Sequence, residues 1–173
     1  MAAVRWICIS DLHLGALNSV LTSVSADGEH VDKSSTSPVT AALCDGLRSL
    51  SEREHDPRLV LDAYLLRSLA VAGYAPALDE CAVCGATAPQ ATGGLRAFGL
   101  VSGGLTCQAC RVPGSATPAA GTVALMSALL RGDWTHADAS ERRHQLECSG
   151  LTAAYLQWHL EHSIRSLKHV EHA

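Results

Sequence analysis

Four cysteines in two pairs limit what this chain can fold into: Cys81-Ala82-Val83-Cys84 and, after positions 85 to 106, Cys107-Gln108-Ala109-Cys110. Each CxxC can clasp one side of a tetrahedral ion, so the segment between the pairs must bring them face to face. That segment reads as a ribbon. Gly85, Gly93, Gly94, Gly103 and Gly104 supply turn positions, while Phe98, Leu100, Val101 and Leu105 suit short strands. The expectation is a zinc ribbon with Cys81, Cys84, Cys107 and Cys110 as the metal ligands. Two disulfides or four unrelated buried thiols are the alternatives. Disulfides need an oxidising compartment, and the chain opens with no charged-then-apolar leader. Four thiolates fill every tetrahedral position and leave none for water or substrate, so the expected zinc is structural and the protein is not an enzyme.

The rest of the chain must supply a core. With 173 residues and 47% hydrophobic content it can form one ordinary domain or two small ones. Aromatic residues are sparse, one Phe, three Trp and three Tyr, so the core rests on Leu, Val and Ala, and such a composition favours helices. No apolar run approaches the ~20 residues needed to cross a bilayer. A cytoplasmic protein with no membrane partner is expected. Net charge is −4, and from Pro57 onward nine basic residues stand against nine acidic ones. Strong independent binding to a phosphate backbone needs a clustered basic excess, which this region lacks.

Val4 to Ile9 form a short β-branched and apolar run of the kind found in buried strands. It leads into Ser10-Asp11-Leu12-His13-Leu14-Gly15, where an Asp and a His two residues apart can point at one metal. This DxH resembles the opening motif of the calcineurin-like metallophosphoesterases, over about the first 45 residues. The resemblance implies metal ligation by Asp11 and His13. The further motifs of that family, GDxxD, GNH with a following acid, and GHxH, are absent, and two ligands cannot assemble a two-metal centre. Asp11 and His13 are therefore read as a strand-end turn, with a metal-dependent phosphoesterase fragment as the alternative. A polar loop, Ser23 to Ser37, and a helix starting near Thr36-Ser37-Pro38 follow.

Glu52-Arg53-Glu54-His55 reads as a solvated linker or helix surface. Asp56-Pro57 is a helix start, with Leu61, Tyr64, Leu65, Leu69 and Ala72 as the core face until Gly73. After the ribbon, Thr117-Pro118 starts a second core helix carrying Val123, Met126, Leu129 and Leu130 until Gly132. Asp133-Trp134 is expected to turn, and a polar stretch through Arg142-Arg143-His144 to lead into the longest helix. That helix shows Leu151, Ala154, Tyr155, Trp158 and His162 on one face, with Leu160, Ile164 and Leu167 beside it.

From about Arg48 to the end, the segments EHDPRLVLDAYLLRSLAVAGYAP, DECAVCG, CQAC, GDWTHAD and SGLTAAYLQWHLEHSIRSL follow in order. In this the chain resembles the C-terminal part of the RecO family of bacterial recombination mediators. The resemblance implies a zinc knuckle inserted in a helical domain. It also implies binding to single- and double-stranded DNA, strand annealing, and loading of RecA together with RecR at gaps covered by single-strand-binding protein. That family begins with an OB-fold, whose place is taken here by the phosphoesterase-like start. A fusion, truncation or misjoined frame is the expectation, with the join between Leu43 and Glu52. The alternative to DNA binding is a zinc-bearing adaptor that docks partners only. The fold class expected is mainly α, a helical domain with an inserted four-cysteine zinc ribbon, preceded by a short α/β fragment. Its divisions are 1–45 as an incomplete phosphoesterase-like fragment and 46–173 as the helical domain with the ribbon at 79–112.

The remaining features are read as structural. Cys8, Cys44 and Cys148 lack a CxxC companion and are assigned as small buried hydrophobes. His159 and His162 are assigned to a helix surface, Trp134 and Trp158 to packing. Arg142, Arg143, Arg165 and Lys168 are assigned to a salt-bridged surface with Glu141, Glu147 and Glu161.

Overall fold

Punctuation residues set most of the helix ends. The computed structural model describes residues 37–167, with side chains through Glu161; the Val4–Ile9 strand, Asp11, His13 and Cys8 lie outside the described residues. Pro38 opens α1 (Pro38–Glu52) where expected. The helix closes on Arg53, which takes φ 55° so that the Glu54 N–H can return to the Ser49 carbonyl at 3.1 Å. Position 45, where the sequence reading divides the chain, falls inside α1. Cys44 is exposed on this helix, against expectation; α1 buries mainly Val39 and Ser49, the face carrying neither Cys44 nor Leu47.

Helix α2 (Pro57–Val71) starts as its sequence signal requires, the Asp56 carboxylate accepting from the Arg58 N–H at 2.8 Å. Its buried face shares only Leu69 with the one expected. Leu59, Val60, Asp62, Ala63, Leu66 and Leu69 point inward, while Leu61 is 55% exposed and Ala72 is exposed. Apolar residues surround this helix, so spacing alone marks no side as the inner one.

The buried carboxylate of Asp62 needs a partner, and Ser149 of α5 (Arg142–Leu167) supplies it, donating its hydroxyl at 2.6 Å. Burial nevertheless dominates and raises the Asp62 pKa, the serine hydrogen bond opposing it. A carboxyl whose folded pKa lies above its unfolded value binds more protons in the folded state. Its contribution therefore favours the fold at acid pH and turns against it as pH rises from ~4 through the raised value. Asp62→Asn, which still accepts from Ser149, is expected to gain stability relative to the parent between pH 4 and 7. Urea unfolding of both chains across that range checks this; a difference that does not change with pH would contradict it.

Helix α3 (Ala120–Arg131) begins later than Thr117-Pro118 indicates. Ala116 is held extended against the ribbon, exchanging 2.8 and 3.0 Å hydrogen bonds with Phe98, which delays the helical turn. Ala119 at the N-cap has no capping side chain. Glu147 of α5 substitutes, its carboxylate accepting from the Ala119 N–H at 3.1 Å and from the Thr122 hydroxyl, which also meets His144 Nδ1 at 3.1 Å. A carboxylate at the positive end of a helix is favourable for the macrodipole as well. The close approach of α3 and α5 depends on Gly121, where a Cβ would lie 2.5 Å from His144 Nε2. At the other end Gly132 takes φ 77° and the Asp133 N–H reaches back to the Ala128 carbonyl at 2.9 Å.

Asp133-Trp134 opens a short helix, α4 (Trp134–Asp138), where a turn was expected, because the Asp133 side chain caps the His136 N–H. Arg142-Arg143-His144 form the first turn of α5, the longest element, and are not a linker leading to it. His55 also departs from expectation. Its ring stacks on Trp134 at 4.0 Å and 6°, and its Nδ1 meets the Asp138 carboxylate at 2.7 Å, tying the α1–α2 connection to α4. Arg67 lies 5.9 Å from the same indole and donates to the Leu129 carbonyl at 3.0 Å.

The core lies where α2, α3 and α5 meet. Leu59, Ala63, Leu66 and Leu69 from α2 pack with Leu125, Met126 and Leu129 from α3 and with Cys148 and Tyr155 from α5. Cys148 is a buried thiol as expected, and burial pushes it up to about 12. Three further core side chains, Leu78, Phe98 and Leu105, come from the inserted segment. Phe98 meets Tyr155 edge to face at 5.6 Å.

Candidate metal centre

Strands β1 (Ala97–Gly99) and β2 (Gly104–Thr106) form an antiparallel hairpin with Phe98 opposite Leu105 and Gly99 opposite Gly104. Leu100 and Val101, expected in strands, occupy the hairpin turn, and Val101 is 68% exposed. The five turn glycines all take positive φ. Both hairpin edges are covered, by Ala77 beside Gly104 and by Ala116 beside Phe98. The ordered insertion therefore pairs from Ala77 to Ala116, a little wider than the cysteine spacing alone delimits.

Backbone hydrogen bonds bend each CxxC into a knuckle. In the first, the Cys81 N–H donates to the Ala86 carbonyl at 2.9 Å and the Gly85 N–H to the Cys81 carbonyl at 2.8 Å. The Ala82 N–H joins the knuckle to β2 through Leu105. In the second, Gln108–Cys110 form a 3₁₀ turn, and the Gln108 N–H donates to the Thr92 carbonyl at 3.1 Å. The result brings the sulfurs of Cys81, Cys84, Cys107 and Cys110 within 4.8 Å of one another. Cys84 Sγ and Cys107 Sγ are 4.0 Å apart, close to the ~3.8 Å edge of a tetrahedron with ~2.3 Å metal–sulfur bonds. All four side chains expected from spacing thus converge. No other group of three or more His, Cys, Asp or Glu side chains among the described residues has its donor atoms so placed.

The four sulfurs are not equivalent. The first cysteine of each pair is inside, Cys81 at 1% and Cys107 at 3% exposure, in a small apolar cluster with Ala91. The second of each pair faces outward, Cys84 exposed and Cys110 half-buried. Backbone N–H groups, first that of Cys84 and then those of Cys107 and Val83, hold the Cys81 thiol down to about 6 despite its burial. Hydrogen bonds to the Cys107 and Cys84 sulfurs push Cys110 up to about 12. A divalent ion at the centre displaces the remaining protons. An all-thiol set with no open position can hold an ion and brace a fold, and it offers no place for a substrate.

The other residues singled out in the sequence form no second centre. His159 packs its ring against Tyr155 at 4.5 Å and Tyr74 at 4.4 Å; His162, Ile164, Arg165, Leu167 and Lys168 have side chains outside the described residues. Arg143 pairs with Glu141 at 3.0 Å as expected, whereas Arg142 pairs with Asp56 at 3.8 Å and Glu147 is taken up by the α3 cap. Trp134 packs against the core. What spacing does not convey is which two sulfurs face water, and the role of His55 as a ring partner.

The family profile described as "Recombination protein O C terminal" matches residues 41–168. The chain belongs to the RecO family. Among curated relatives named "DNA repair protein RecO", that of Thermobifida fusca is 63% identical over 131 residues, covering 76% of this chain and 52% of the relative. That of Streptomyces griseus is 55% identical over 129 residues, covering 75% of this chain and 50% of the relative. That of Frankia casuarinae is 48% identical over 131 residues, covering 76% of this chain and 52% of the relative. The chain spans about half the length of the curated RecO relatives it matches. No solved structure matches it. The phosphoesterase-like opening with Asp11 and His13 gains no support from these RecO matches. Among the described residues, no helix is long and apolar enough to cross a membrane.

Proposed function

We propose that this chain is the helical, metal-bearing part of a DNA repair and recombination factor. It acts without covalent chemistry. Together with RecR it loads RecA at gaps covered by single-strand-binding protein, and it binds and anneals single and double strands in the cytoplasm. The observation that carries this reading is the family match over residues 41–168, with the four converging sulfurs inside it. Zinc is the ion proposed at Cys81, Cys84, Cys107 and Cys110, since four soft thiolates in a tetrahedral arrangement suit it best, and its role is to brace the ribbon.

Surface charge favours a second reading in which this part docks partner proteins and leaves strand binding elsewhere. Arg48, Arg142 and Arg143 are each paired with a carboxylate, and from Pro57 onward nine acidic residues balance nine basic ones, so this part carries no net basic excess for phosphates. A salt titration of single-strand binding separates the two. Binding that weakens steeply with salt supports strand contact by this chain; no binding at low salt, together with retained RecR capture, supports the docking role.

A further inference from the structure

We infer that the metal centre is an oxidant-sensitive release switch, entered at Cys84 and resolved by Cys110. The inference rests on the reading of the four cysteines as zinc ligands. Only the second cysteine of each pair meets solvent, Cys84 exposed and Cys110 half-buried, while Cys81 and Cys107 are sealed at 1% and 3% exposure. The residues on either side of Cys84 are exposed as well. Val83 beside it is 59% exposed, and Gly85, the next residue, has no atom within 4 Å of where a Cβ would stand. The Cys84 side of the knuckle is thus open to an oxidant, whereas Cys81 and Cys107 are enclosed in the Ala91 cluster.

The chemistry is that of a peroxide and two thiolates. Cys84 Sγ attacks one oxygen of hydrogen peroxide, the O–O bond breaks, and a sulfenic acid and hydroxide form. The Cys110 thiolate, within 4.8 Å, attacks the sulfenic sulfur and expels a second hydroxide, leaving a disulfide. Two electrons pass from the sulfurs to the peroxide, and two protons convert the hydroxides to water. A disulfide is not a thiolate ligand, and the remaining Cys81 and Cys107 cannot complete a tetrahedron, so the ion leaves. The knuckles then lose the ion that links them and are held only by their backbone hydrogen bonds to Leu105 and Thr92 and by the small Ala91 cluster.

The test uses the full chain, purified under reductant with the exposed Cys44 changed by Cys44→Ser. Zinc is quantified before oxidant, and peroxide is then added while a chromogenic chelator follows release. Differential alkylation and mass spectrometry locate the disulfide. The expected result is loss of about one zinc per disulfide formed, a Cys84–Cys110 link, and Cys81 and Cys107 recovered as free thiols. Zinc that stays bound while peroxide is consumed, or a first disulfide that contains Cys81 or Cys107, overturns the switch and leaves the metal reading standing. Absence of zinc before any oxidant overturns both.

Discussion

Stripping the metal with a strong chelator is expected to dissolve the ribbon and to lower the melting temperature of the helices with it. A structural zinc contributes ~10 kcal/mol or more to the fold it closes, and within the ribbon the apolar cluster consists only of Cys81, Ala91 and Cys107 with Ala86, Leu95 and Cys110 beside it. The consequence reaches α5 because Phe98, 1% exposed, sits against Tyr155, 1% exposed. Losing a buried phenylalanine from a core costs about 3–5 kcal/mol. Circular dichroism melts with and without chelator, alongside amide signals for Phe98 to Thr106, check this. Superimposable melts would show that the helical part is indifferent to the ion.

A Gly104→Ala substitution is expected to cost about 3 kcal/mol or more. Gly104 takes φ 149° at the start of β2, and a Cβ there would lie 2.3 Å from the Ala77 carbonyl oxygen and 2.5 Å from its nitrogen. Those are backbone atoms of the segment that enters the ribbon, and they cannot rotate aside. Moving them breaks the Ala77 N–H to Gly103 bond at 2.9 Å and the Leu105 N–H to Ala77 bond at 2.8 Å. Each lost hydrogen bond costs about 1 kcal/mol, and the positive φ adds about 1–2 kcal/mol for a residue with a Cβ. Gly114→Ala is the control: φ there is 85° with nothing within 4 Å of the added carbon. It should show the conformational cost alone, about 1–2 kcal/mol. Urea unfolding of the two variants under saturating zinc compares them, and equal losses would show that the contact with Ala77 is not what demands glycine.

How much of this was legible in the sequence depended on whether the signal was local. Asp56-Pro57, Gly132 and the CxxC pairs each act through the next few backbone atoms, so they mark helix ends and the sulfurs that converge without knowledge of the rest. The orientation of α2 was not legible, since Leu61, Tyr64 and Leu65 are as apolar as the residues that turn inward. The start of α3 was misplaced because its cap is Glu147, far along the chain, and its delay comes from Phe98. His55 looked like part of a charged linker, and only the fold puts an indole beneath its ring. The unequal exposure of the four sulfurs is likewise a property of how the knuckles seat on the hairpin.

The donation of Leu78, Phe98 and Leu105 to the helical core has a kinetic side. Helices form locally and quickly, but this core cannot close until a long excursion between α2 and α3 has returned with its knuckles joined, and such distant contacts are slow to assemble. With an ion held by the four sulfurs as proposed, its availability would govern how fast a newly made chain matures, as well as how stable it is afterwards.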